Sequence, residues 1–145
     1  MSERRALRRL LLDDEGRASR RVFWLYGLGA IAFVMSALAL LPQIGVPARM
    51  TPLIASLALI YPSYCVIAKR LQDAGIEGHW AIAVSGVAAI DALFVAAGPA
   101  EALTAATALA RALWWWVSLA NMAAFIAIGL LPGDRGPNRF GPRRI

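Results

Sequence analysis

The chain has 145 residues, enough for one domain. Of these, 59% are hydrophobic, against a typical ~45–50% for soluble domains, and a chain this short buries too small a share of its surface to hide the excess from water. Lys and Arg total 15 and Asp and Glu total 9, a net charge of +6, yet the arginines flank apolar runs rather than line the face of a soluble domain, which argues against a nucleic-acid partner.

Residues Met1 to Glu15 read as a short amphipathic helix, with Leu7, Leu10 and Leu11 on one face and Arg4, Arg5, Arg8 and Arg9 on another. Such a helix lies at a membrane surface with its arginines toward phosphates; a solvated basic tail is the alternative. Gly16 ends the segment, and Ser19 is placed to cap the helix that follows. The first span is Val22–Leu41, twenty residues whose one ionisable group is Tyr26. At ~1.5 Å per residue this length crosses a ~30 Å hydrocarbon core. Trp24 and Tyr26 stand at its first turn as interfacial anchors.

Pro42 and Pro47 bracket a short loop. A second span runs from about Thr51 to Ala68, with Pro62 removing one backbone hydrogen bond inside it. Lys69 and Arg70 end it, and Gly75 and Gly78 turn the chain. A third span starts at Trp80 and closes near Gly98 and Pro99. Residues 99–111 are alanine-rich and read as an outer helical turn or two. The fourth span, Ala112–Leu131, holds no ionisable group and opens on Trp114, Trp115 and Trp116. From Pro132 the density of Gly and Pro implies a succession of turns. The expected fold is an all-α bundle of four transmembrane helices, spans 22–41, 51–68, 80–98 and 112–131, with the amphipathic N-terminal helix and an irregular tail.

Charge sets the expected orientation. Segment 1–21, loop 69–79 and tail 132–145 together carry thirteen Lys or Arg, while the other two loops carry one each, Arg49 and Arg111. The positive-inside rule puts the thirteen, and with them both termini, in the cytoplasm. An even number of spans agrees.

Asp91 is the residue most unusual for its position. It lies about eleven residues into the third span, ~16 Å deep and near the midplane, where an aspartate costs ~2.5–3.5 kcal/mol on insertion scales. Ser118 and Asn121 of the fourth span fall at nearly the same level, and a hydrogen bond from one of them to Asp91 is expected. The functional reading is a proton or cation path; the plainer one is a satisfied interhelical bond. His79 is the chain's one histidine and Cys65 its one cysteine, so no histidine-rich metal site, catalytic constellation, disulfide or cofactor motif is recognised.

Three segments on the basic side are GRASRRVFW (Gly16–Trp24), AKRLQDAGIEGHW (Ala68–Trp80) and PGDRGPNRFGP (Pro132–Pro142). Together they resemble a family of small bacterial inner-membrane proteins, domain of unknown function 805. Its members carry a Gly-Arg-x-Ser-Arg-x-x-(Phe/Tyr)-Trp lead into the first span. They also carry an Arg-Arg-Leu-His-Asp-x-Gly stretch after the second and a Gly-x-x-Gly-x-Asn-x-(Tyr/Phe)-Gly tail. Two departures are Lys69 for the first arginine and Gln72 for the histidine. The resemblance implies an inner-membrane location and no known activity.

The motifs suggest a cytoplasmic cap in which the three segments touch. Its members would be Arg17, Arg20, Trp24, Arg70, Asp73, Gly75, Trp80, Gly136, Asn138 and Gly141. In its plain form the cap is a structural latch; in its sharper form it binds an anionic head group or small phosphate. The leading expectation is a non-enzymatic inner-membrane protein, a structural or envelope-associated partner touching anionic lipid head groups. The alternatives are an oligomeric small-solute or ion transporter using Asp91, with Ser118 and Asn121, and a membrane enzyme acting on a lipid phosphate. A homo-oligomer or a membrane-protein partner is compatible with the first two.

Overall fold

A computed structural model describes residues 3–97 and 105–142. The expected close of the third span at Gly98 and Pro99, the rest of residues 98–104 and the last three residues of the tail lie outside the described residues, as do the side chains of Arg4, Arg5 and Arg111. Among the described residues every regular element is helical and no strand occurs.

The elements are α1 (Glu3–Leu12), α2 (Arg20–Leu40), α3 (Thr51–Asp73), α4 (Ala81–Ala97) and α5 (Ala105–Leu130), with 3-10 turns at Leu41–Ile44, Ala48–Met50 and Gly78–Trp80. Ser19 caps α2, its hydroxyl accepting from the Val22 amide at 3.4 Å. Pro52 sits in the first turn of α3, where its missing N–H is no loss, and the helix runs on through Pro62. Gly75, at φ +75°, turns the chain out of α3, and the Ile76 amide returns to the Leu71 carbonyl at 3.0 Å.

Two boundaries differ from expectation. Helix α3 continues five residues past Ala68, so Lys69–Asp73, expected in a loop, are its last turn and more. The fall in hydropathy there is not a helix end, because Ala68 and Leu71 are still buried in the core and hold the last turns of the helix against it. Likewise α5 starts at Ala105, in the alanine-rich stretch expected to be separate. Alanine carries the highest helix propensity, and α5 simply extends back through it.

Among the described residues three segments, Arg20–Ile44, Ala48–Asp73 and Ala112–Leu130, are long and apolar enough to cross a membrane. The third expected span corresponds to α4, of 17 residues. Helix α3 is central and packs against α1, α2, α4 and α5. The buried core consists of Phe23, Val66, Ile67, Ala68, Leu71, Ala81 and Ile128, all gathered at the end of the bundle that carries the three motifs. Away from that end Leu28, Ile31, Met35, Leu57, Leu93, Trp115 and Met122 are exposed on the outer surface. A water-soluble fold would not leave so continuous an apolar exterior. The architecture is that of a helical membrane protein.

Candidate functional site

The site is built around the end of α3. Asp73 is 8% exposed and receives two guanidinium groups, one on each carboxylate oxygen. Arg17 Nε donates to Oδ1 at 2.8 Å, and Arg70 Nη1 donates to Oδ2 at 2.7 Å. Arg17 is 5% exposed and Arg70 is fully buried. The second pair follows from one helical turn, since residues three apart share a face. The first joins residues 56 apart in sequence.

Two guanidiniums against one carboxylate leave a positive excess in a buried place, and backbone carbonyls balance it. Arg17 Nη1 donates to the Gly136 carbonyl and Nη2 to the Asp134 carbonyl, both at 2.6 Å. Arg70 Nη2 donates to the Leu131 carbonyl, which also accepts from Arg20 Nε at 2.9 Å. That carbonyl lies just past the C-terminus of α5, where the helix dipole presents its negative end. Only a planar fork of several donors can serve Asp73 and two tail carbonyls at once, so lysine could not replace Arg17 here.

The tail is laid over this centre by backbone pairing. The Asp134 amide donates to the Asp73 carbonyl at 2.7 Å, and the Ala18 amide to the Lys69 carbonyl at 3.1 Å. Asn138 Nδ2 donates to the Gln72 carbonyl at 2.9 Å and to Asp134 Oδ2 at 2.8 Å. Its Oδ1 accepts from the Phe140 amide at 3.0 Å, and its backbone pairs both ways with Gly141. Asparagine holds such a turn by bonding its own backbone two residues on. At the rim Arg139 pairs with Glu77 at 2.8 Å, both well exposed, and that contact contributes little.

Of the ten residues expected at this end, Arg17, Arg20, Arg70, Asp73, Gly136, Asn138 and Gly141 meet in one network. Gly75 supplies the turn beneath it. Trp24 lies below, in aromatic contact with Phe23 and Phe125 and against Gly129. Trp80 is apart from the network, exposed and in tilted ring contact with His79. The carbonyls of Leu131, Asp134 and Gly136 do as much as any side chain, and backbone acceptors carry no sequence signal. Lys69, in place of the family arginine, donates from Nζ to the Arg9 and Leu10 carbonyls and so clamps the end of α1. Gln72, in place of the histidine, keeps its Oε1 buried without a hydrogen-bond partner among the described residues.

Residues 11–142 match the family described as Protein of unknown function (DUF805). The chain belongs to this family. No curated protein and no solved structure matches it. The DUF805 match spans all three motifs, and the geometry above shows what they do physically: each supplies part of one buried polar junction.

The residues expected near the midplane form a second polar group. Asp91 Oδ1 accepts from Ser118 Oγ at 2.7 Å and from the Trp114 indole N–H. Asn121 is not a partner of Asp91; its Nδ2 donates to the Val84 carbonyl at 3.2 Å. The contact with Ser118 was legible from depth. That with Trp114 was not, because an indole at a helix start reads first as an interfacial anchor. Both donors converge on one oxygen that asparagine also possesses. Asp91→Asn is therefore expected to lower stability by less than about 1 kcal/mol, and Asp91→Leu by about 1–3 kcal/mol through two orphaned donors. Thermal unfolding in mild detergent separates the two; equal losses would show that the charge itself holds the helices.

Among the described residues no cluster of three or more His, Cys, Asp or Glu is placed to hold a metal ion.

Proposed function

We propose that this DUF805 protein is a non-catalytic, multi-pass protein of the bacterial inner membrane, with four spans and both termini cytoplasmic, whose three motifs form a structural latch. The observation that carries this is the buried Arg17 side chain, which ties the N-terminal segment to α3 and to the tail in one set of hydrogen bonds. Its Nε and both terminal nitrogens are engaged within the protein, as are both terminal nitrogens of Arg70. That favours a latch over a phosphate-binding site. The acids at this end are engaged too, Asp73 by two arginines, Glu77 by Arg139 and Asp134 by Asn138, which supports a non-enzymatic role.

On this reading α4 is the third of the four spans, since 17 residues is within the ~17–25 a crossing helix needs. Arg8, Arg21 and Arg135, exposed at the same end, then face anionic lipid head groups by charge alone. The latched surface presents a fixed platform to an envelope-associated partner.

The test uses single and paired cysteines in a Cys65→Ala background, in intact membranes. Glu15→Cys with Pro137→Cys is expected to cross-link through a short bismaleimide without any added ligand. Ala48→Cys is expected to react with an impermeant reagent from the periplasmic side and Glu15→Cys from the cytoplasmic side. Absence of cross-linking at this and neighbouring pairs would overturn the latch, and reaction of both sites from one side would overturn the topology.

A further inference from the structure

Between the latch and the Asp91 contact, α5 stands away from α3 and leaves a cleft of about 520 Å³. Its walls come from α2, α3, α4 and α5, and its rim carries Ile31, Trp115, Leu119 and Met122, all exposed on the outer surface. The lining is mostly apolar, but polar groups from all four helices converge on it. Tyr26 Oη and Ser63 Oγ share a hydrogen bond of 2.7 Å, Ser118 donates to Asp91, and Asn121 and Ser85 complete the set.

Ser85 is the informative member. A serine within an apolar helix ordinarily donates to the carbonyl four residues earlier. Ser36 does so, to the Ala32 carbonyl, at 2.8 Å. Ser85 is 6% exposed and its hydroxyl has no hydrogen-bond partner among the described residues. In a hydrocarbon setting such a group is costly, because no water reaches it to compensate. An apolar cleft with a few convergent polar groups, one of them unsatisfied, has the form of a small-molecule site, and its volume falls in the ~300–1,000 Å³ usual for one.

We propose that this cleft binds a membrane-resident single-chain amphiphile whose uncharged head carries a hydroxyl group. The chain lies along the apolar walls, and the head group hydroxyl pairs with Ser85 and its polar neighbours. An anionic head would meet Asp91 at low dielectric, and any charge at this depth is expensive. This inference does not depend on the latch, whose residues lie outside the cleft.

The probe is hexadecanol carrying a mid-chain diazirine, photoactivated with the full-length protein in nanodiscs of phosphatidylethanolamine and phosphatidylglycerol. Labelled peptides are mapped by mass spectrometry. Expected is labelling concentrated in Ala81–Asp91 and Trp115–Phe125 that saturates and is competed by unlabelled hexadecanol, and less well by its methyl ether. Ala88→Phe and Ala30→Phe fill the cleft from opposite walls, and each is expected to weaken labelling about tenfold or more. Ser85→Ala is expected to weaken it about three- to tenfold, the loss of one hydrogen bond. Ile82→Phe, on the exposed outer face of α4, leaves it unchanged. All variants are first checked for a wild-type elution profile and melting curve. Labelling that fails to saturate, spreads evenly over all outward faces, or persists in both filled variants overturns the proposal. So does protection of the cleft by chain-to-chain cross-linking.

Discussion

Asp73→Asn is expected to destabilise the protein by about 3–5 kcal/mol, the cost of removing one partner from a buried ion pair. The side chain keeps its shape and loses its charge, leaving two guanidiniums close together with no carboxylate between them. Neither can escape to solvent, since the side chains of Arg17 and Arg70 are 1% and 0% exposed. Asp134 is no substitute: it offers Arg17 its backbone carbonyl, and its carboxylate is held by Asn138. Thermal or denaturant unfolding in mild detergent reads the effect. A double cycle with Arg17→Gln isolates the pair, and the double variant should lose much less than the sum of the singles, because Arg17 no longer lacks a counter-ion. A loss below about 0.5 kcal/mol, the range of an ordinary surface change, would remove Asp73 from the centre of the latch. The carbonyls around Arg17 would then be sufficient alone.

The second large effect is expected at Gly133→Ala, a change of one methyl group that costs about 2–4 kcal/mol. A Cβ built on Gly133 would stand 2.0 Å from Asp73 Oδ2 and 2.9 Å from Cγ. Overpacking typically costs ~1–3 kcal/mol, and here relief also disturbs one of the ion pairs. The carboxylate cannot turn aside without giving up Arg70, and the tail cannot rise without breaking the Asp134 to Asp73 backbone hydrogen bond. Gly136→Ala provides the control, since a Cβ there meets nothing within 4 Å, and it should fall within about 0.5 kcal/mol of wild type. Equal melting of the two variants would show that the tail does not rest on Asp73. Limited proteolysis adds a local readout: cleavage in the tail should accelerate in Gly133→Ala and not in Gly136→Ala.

These effects set the latch apart from the rest of the fold. Along the outer surface the apolar side chains need only be apolar, since lipid accepts them in any packing. At the motif end a few buried groups are mutually dependent. Removing one strands others, which makes single changes there far more costly than changes of equal size at Leu28 or Met35.

The membrane nature of the chain, its long apolar helices and the Ser19 cap were determined by the sequence alone, because each rests on local chemistry: hydropathy over twenty residues, or a hydroxyl one residue before a helix. The level of Ser118 beside Asp91 was equally local. Only the tertiary structure decided that Arg17 would take the other oxygen of Asp73, that Trp114 rather than Asn121 would join Asp91, and that Ser85 would be left without a partner among the described residues. It also carried α3 on to Asp73, past the point where hydropathy falls. The reason is that hydropathy and spacing report each residue's relation to its neighbours in the chain and to the solvent. Which buried donor meets which acceptor depends on helices brought together across many residues, and on backbone carbonyls that every residue possesses alike.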